Sequence, residues 1–174
     1  IHTTASSHGR VFIVEVMGHK VGWLTLSAGL ASGADVILLP EIPYDLDKVC
    51  EAIQRRHSHG KKFTILAVAE GAISKEMAAM KKKDRKKAME KLLSEYPSVS
   101  YQLAHDITER TGSDVRVTVP GHVQRGGSPD PFDRVLSTKL GVYAAQLIEK
   151  GEYGYMVATV NNEICKVPLE LSAG

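Results

Sequence analysis

Apolar segments of strand length alternate along this chain with segments of helical character, and this alternation constrains the fold most. Residues 11–16, 36–39 and 63–69 are mostly apolar and rich in β-branched side chains, which is typical of strands buried on both faces. Val115, Val117 and Val119 alternate with polar residues, as in a half-exposed strand. Strands that alternate with helices indicate an α/β fold, a layered parallel or mostly parallel sheet flanked by helices.

The intervals between these strands carry helical periodicity. Apolar side chains recur after Pro43 at spacings of three and four residues, which is typical of a helix with one buried face. Asp133 is the predicted N-cap of the last helix. The predicted helices cover residues 21–31, 46–59, 74–95, 99–111 and 133–150, and a last strand is predicted at 155–160.

The length of 174 residues suits one ordinary domain or a piece of a larger one. A chain of this size buries roughly 70% of its surface on folding, so its core needs no disulfide or metal. Because the first residue is Ile1 rather than Met, we interpret residues 1–174 as a single partial domain, a fragment. The chain has no apolar run of about 20 residues and no signal peptide, which predicts a soluble, cytoplasmic protein without a membrane partner.

The net charge is only +2, but basic residues are concentrated in one segment. Residues 75–91 contain eight Lys or Arg and three Asp or Glu. This run favours a solvated helix face. A nucleic-acid-binding module is the weaker hypothesis, because Asp84 interrupts the basic cluster and no aromatic residue lies within it. We therefore predict no nucleic-acid partner.

Several common motifs are missing. The chain contains no GxGxxG, GxxxxGK[ST], GxSxG or HExxH sequence, which removes the most easily recognised enzyme classes. Its two cysteines, Cys50 and Cys165, lie far apart and outside any metal-ligand spacing. We predict no metal site within these residues.

Polar residues follow three of the predicted strands, where ligands of parallel sheets usually bind. Met17-Gly18-His19 follows the first, and this turn either approaches a ligand or simply connects strand to helix. Glu70 follows another strand and either accepts from sugar hydroxyls or caps the next helix. The glycine-rich loop 120–129 is suited to hold a phosphate through backbone N–H groups and basic side chains, the alternative being a flexible, solvated connection.

Five sequence blocks occur in one order: SSHGR, VEVMGHKVGW, PE, AVAEG and PGHVQRGGSP. Their order and spacing resemble the phosphofructokinase family, and the GHVQRGG block alone is distinctive. The resemblance covers almost the whole chain, with a basic helical insertion at about 74–96. It implies a phosphofructokinase-like fold and, in glycolysis, transfer of a phosphoryl group to the 1-hydroxyl of fructose 6-phosphate.

The resemblance also implies the roles of individual residues. Met17, Gly18 and His19 lie against the sugar, and Glu70 accepts from its hydroxyls. His122 and Arg125 hold the 6-phosphate. Arg10 and Arg116 reach the site of a neighbouring subunit, which implies a homo-oligomer, a dimer or a tetramer.

The resemblance implies Mg²⁺ and either ATP or pyrophosphate as co-substrate of the complete enzyme. His19 stands where well-known family members have an arginine, so the phosphoryl donor stays open between the two. The donor-binding loops, the catalytic base and the Mg²⁺ ligand of the family have no counterpart in these residues, so we expect no catalytic residue here and an inactive fragment. The alternative function is a non-catalytic sugar-phosphate-binding or regulatory subunit.

Overall fold

The computed structural model describes residues 1–172, which form two compact units. The first comprises residues 1–125 and the second begins at Gly126. The interpretation of the chain as one partial domain stays a prediction. Within residues 1–172, no helix has both the length and the apolar character needed to cross a membrane.

The first unit is built on a four-stranded sheet whose order is β2-β3-β1-β4. The paired strands of this sheet are parallel, as the sequence predicts. Val11 lies opposite both Thr64 and Val115. Their carboxyl ends therefore lie along one edge of the sheet. The strands are β1 (Val11–Val16), β2 (Val36–Leu38), β3 (Thr64–Ala69) and β4 (Val115–Thr118).

Helices cover both faces of this sheet. The strand residues alternate between the two faces, so Val11 and Ile13 pack towards α3 and α6, whereas Phe12 packs with Ala5 of α1 on the other face. The helix α2 lies against β2 and β3. The helices are α1 (His2–His8), α2 (Trp23–Ser32), α3 (Leu46–Ser58), α4 (Lys75–Ala79), α5 (Lys82–Glu95) and α6 (Val99–Thr111).

The helix α3 confirms the predicted apolar stripe and adds a cap. Val49, Cys50 and Ile53 are its buried residues. Asp45 caps the helix by accepting hydrogen bonds from two backbone N–H groups, those of residues 47 and 48, and from Lys75 Nζ. The Lys75 hydrogen bond, followed by the backbone ones, holds the pKa of Asp45 below its usual range.

The structure explains why two glycines occur in the predicted helix 21–31. Gly22 is the N-cap of α2, so it does not interrupt the helix. Gly29 is buried against the sheet, where a Cβ atom would lie 2.7 Å from Cδ1 of Ile37. The glycine therefore allows α2 to approach the sheet closely.

The prediction of one long helix at 74–95 was wrong. Met80 and Lys81 are extended and separate α4 from α5. No Gly or Pro lies between residues 74 and 95, so local propensity gives no signal for this break. Beyond the break, α5 packs with α6, and Leu92 is its buried residue.

The second unit contains α7 (Pro131–Glu149) beside the antiparallel hairpin of β5 (Tyr155–Val160) and β6 (Glu163–Pro168). The N-cap of α7 is Asp130 rather than Asp133, which instead completes a capping box from the third helical position. The strand β6 was not predicted from the sequence. Asn161 and Asn162 both have positive φ, as a two-residue hairpin turn requires.

We predict that Leu103→Ala destabilises the chain by about 2–5 kcal/mol, because Leu103 is fully buried between α6 and the sheet. Urea denaturation measures this change. The matched control is Leu93→Ala on the exposed side of α5, which should change the free energy of unfolding by less than about 0.5 kcal/mol. Equal effects of the two substitutions would contradict the assignment of the core.

Candidate functional site

Three turns follow the carboxyl ends of β1, β3 and β4 and lie at one edge of the sheet. They are residues 17–19, residues 70–71 and the 3₁₀ turn Gly121–Arg125. Hydrogen bonds join the first turn to both of the others, across 52 and 107 positions of the chain. Three of the recognised sequence blocks thus contribute to a single local structure.

Glu70 fixes the turn after β1. Its Oε1 accepts hydrogen bonds from the backbone N–H groups of Gly18, at 3.1 Å, and His19, at 2.5 Å. Neither role predicted from the sequence, sugar acceptor or cap of the next helix, includes this one. Oε2 accepts no hydrogen bond from residues 1–172, so one carboxylate oxygen is available for a further donor.

The backbone of this turn is tightly packed. Gly18 has φ of 153° and His19 has φ of 54°, a left-handed conformation that few residues other than glycine adopt. A Cβ atom on Gly71 would lie 1.9 Å from the backbone oxygen of His19. Glycine at position 71 is therefore needed for the turns after β1 and β3 to be this close.

Gln124 joins the turn after β1 to the turn after β4. Its Oε1 accepts from the backbone N–H of Met17 at 3.1 Å, and its Nε2 donates to the carbonyl oxygen of Gly121 at 3.2 Å. Gln124 lies in the glycine-rich loop 120–129 but is not among the site residues that the sequence resemblance implies. No local pattern indicates the contact with Met17, because it depends on the pairing of β1 with β4.

Most backbone N–H groups that follow β1 already donate to side-chain oxygens of the same chain. Those of Met17, Gly18 and His19 donate to Gln124 or Glu70, and that of Gly22, before α2, donates to Glu41 Oε1 at 2.8 Å. The N–H of Gly22, the N-cap of α2, is therefore not available to an anion. A ligand here would contact side chains, carbonyl oxygens or Cα atoms of the turn.

His122 and Arg125 lie on the 3₁₀ turn and are exposed. Neither side chain makes a hydrogen bond or ion pair with any residue in the described part of the chain. One carries a fixed positive charge and the other gains one on protonation. This edge of the sheet therefore carries exposed basic side chains and a carboxylate that is itself held in place.

Arg10 and Arg116 lie elsewhere. Arg10 precedes β1 and Arg116 is the second residue of β4, so both are near the amino ends of the strands. Their Nε atoms lie 2.5 and 3.3 Å from the carboxylate oxygens of Asp114. Arg116 is paired with Phe12, which is five residues before Met17, a distance of about 16 Å along a strand. The structure thus separates the predicted site residues into two groups.

Two clefts lie away from these turns. One, of about 240 Å³, follows the edge strand β2 and is largely apolar. The other, of about 170 Å³, is lined by Tyr44, Glu76, Asp106 and Arg110, among others, and burial raises the pKa of Tyr44 to about 12. Residues 1–172 contain no group of three or more His, Cys, Asp or Glu side chains placed to hold a metal ion.

Comparison with known proteins supports the sequence resemblance. The family model described as phosphofructokinase matches residues 1–148. A protein of Spirochaeta thermophila named ATP-dependent 6-phosphofructokinase is 50% identical over 169 residues, which are 97% of this chain and 46% of that protein. A protein of Mycobacterium leprae with the same name is 47% identical over 171 residues, 98% of this chain and 49% of that protein. The chain spans about half the length of these curated relatives.

Solved structures agree with this result. The phosphofructokinase from Saccharomyces cerevisiae superposes with a TM-score of 0.75 at 35% identity, over 98% of this chain and 21% of that chain. A pyrophosphate-dependent phosphofructokinase from Marinobacter aquaeolei superposes with a TM-score of 0.73 at 22% identity, over 98% of this chain and 42% of that chain. The second likeness concerns the fold alone.

We predict that Gly71→Ala destabilises the chain by about 1–3 kcal/mol, because its Cβ cannot lie beside the backbone oxygen of His19 without displacing the turn. Urea denaturation measures the loss. Gly141→Ala is the control, since the added Cβ would meet no atom within 4 Å and alanine favours the helix α7 by about 0.5–1 kcal/mol. If Gly71→Ala were neutral, the close approach of the two turns would be wrong.

Proposed function

The chain belongs to the phosphofructokinase family, and from this premise we propose that it forms the sugar-phosphate side of a 6-phosphofructokinase that acts on fructose 6-phosphate. The observation that carries the proposal is the hydrogen-bonded convergence of three turns at the carboxyl edge of the sheet. Basic side chains, a carboxylate oxygen and a close-packed turn at one edge suit a ligand that has hydroxyl groups and a phosphate.

Each group of residues has one role in the proposed site. Met17, Gly18 and His19 lie against the sugar, and Oε2 of Glu70 accepts from a sugar hydroxyl while Oε1 holds the turn. His122 and Arg125 donate to the 6-phosphate from the 3₁₀ turn. These interactions bind the substrate and orient its 1-hydroxyl, which is the main requirement of phosphoryl transfer.

The phosphoryl donor that the relatives favour is ATP. The two sequence relatives named above, at 50% and 47% identity, carry the name ATP-dependent 6-phosphofructokinase, whereas the pyrophosphate-dependent structure is only 22% identical. The same names favour an enzyme over a non-catalytic regulatory subunit. Mg²⁺ would neutralise phosphate charge in such a reaction, but residues 1–172 offer no cluster that fits it, so we assign no step of the reaction to the metal here.

Arg10 and Arg116 are proposed to serve the site of another subunit. Arg116 lies about 16 Å along the strand from the turn after β1, and Arg10, which precedes β1, lies further from it, so neither is placed to hold a ligand at the carboxyl edge of the same unit. Asp114 neutralises only one of the two charges and keeps both guanidinium groups together. A homo-oligomer with shared sites would give these arginines a ligand.

We predict that Arg125→Ala weakens the binding of fructose 6-phosphate about 10- to 150-fold, which corresponds to loss of a hydrogen bond with a charged group of about 1.5–3 kcal/mol. Isothermal titration calorimetry of the chain measures the dissociation constant. Arg55→Ala is the matched control, because Arg55 is exposed on α3 and makes no side-chain ion pair within residues 1–172. Undiminished affinity of the Arg125 variant would remove the site assignment.

We also predict that two defective variants restore binding when they are mixed. If sites are shared, a mixed dimer of Arg125→Ala and Arg116→Ala chains contains one site with both arginines intact. Random association should recover tight binding in about a quarter of the sites. Sites contained in one subunit would show no recovery, and that result would contradict the role proposed for Arg116.

A further inference from the structure

We propose that Gln124 is a positioning residue that sets the separation between the sugar-binding turn, residues 17–19, and the phosphate-binding turn, Gly121–Arg125. The inference rests on the proposed function, because it assumes that one ligand contacts both turns. The residue itself need not touch the ligand. It acts through the two backbone groups that its side chain joins.

The side chain of Gln124 makes one hydrogen bond to each of the two turns. Its carbonyl oxygen accepts from Met17 N–H in one turn, and its amide nitrogen donates to Gly121 C=O in the other. The side chain is half-buried, while its neighbour Val123 is 80% exposed. An amide of this length both accepts and donates here, whereas a carboxylate has no donor and an apolar side chain has neither.

The turn after β1 is held from two sides. Glu70, at the end of β3, binds the N–H groups of Gly18 and His19, and Gln124 binds the preceding N–H. If Gln124 were lost, the contact with β3 would remain and the contact with the 3₁₀ turn would be broken. The two turns would then keep their own structures but lose their fixed separation.

This separation matters for a ligand that must reach both turns. Fructose 6-phosphate has a sugar end and a phosphate end, so once one end is bound, the other binds at an effective concentration set by the geometry of the site. Inorganic phosphate needs only the basic turn. Gln124 therefore affects the longer ligand and not the shorter one.

The test compares Gln124→Met with Gln54→Met, the same substitution at an exposed position of α3, in the whole chain. We expect Gln124→Met, which keeps the length of the side chain but removes both hydrogen bonds, to weaken the binding of fructose 6-phosphate about tenfold. Its affinity for inorganic phosphate, measured by NMR titration at constant ionic strength, should change less than about twofold. Gln54→Met should change neither affinity.

A second readout needs no ligand. Hydrogen exchange of the Met17 amide should become several-fold faster in Gln124→Met, because this N–H loses its acceptor. Gln124→Glu keeps an acceptor for Met17 and should retain the slow exchange. This isosteric variant also provides a folded comparison if Gln124→Met proves unstable.

The outcomes separate the two proposals. If the unsubstituted chain does not bind fructose 6-phosphate, the proposed function fails, and the positioning role fails with it. If the unsubstituted chain binds fructose 6-phosphate, and Gln124→Met weakens the binding of fructose 6-phosphate and of inorganic phosphate equally, or weakens neither, only the positioning role is overturned. Unchanged exchange of the Met17 amide in Gln124→Met would also overturn it.

Discussion

Three consecutive backbone N–H groups after β1 donate to side-chain oxygens from two neighbouring strand ends. Met17 donates to Gln124, and Gly18 and His19 donate to Glu70. A polar backbone group without a partner costs free energy when it is removed from water, so these pairings stabilise a turn that no regular ladder supports. The candidate site therefore depends on side chains that bind the backbone, placed by the parallel order of β3, β1 and β4.

The same pairings determine what remains available for a ligand. Because the amides of the β1 turn are used internally, the donors that this edge offers a ligand include the side chains of His122 and Arg125, which make no ion pair within residues 1–172. Glu70 contributes an oxygen whose position is fixed by its partner oxygen. Rigid supports and unpaired charged ends are what a binding site for a polar ligand requires, since little conformational freedom is then lost on binding.

Much of the fold follows from local patterns, but the contacts within the site do not. The buried strands and the stripe of Val49, Cys50 and Ile53 are readable because periodicity reports which face is buried. The roles of Glu70 and Gln124 depend on which strands are neighbours, and no Gly or Pro marks the break at Met80. The site residues were predicted from the sequence resemblance. They form two groups because they lie at opposite ends of the parallel strands.

Arg10 and Arg116 lie apart from the other predicted site residues, and this separation limits which ligand they can contact. A sheet edge cannot move relative to its opposite edge while the ladders from Val11 to Val16 remain intact, so Arg10 and Arg116 stay near Asp114. Two guanidinium groups around one carboxylate that is 47% exposed leave an unbalanced positive charge at the surface. An anion brought by another copy of the chain would balance it, whereas a ligand bound at the carboxyl edge of the same sheet cannot.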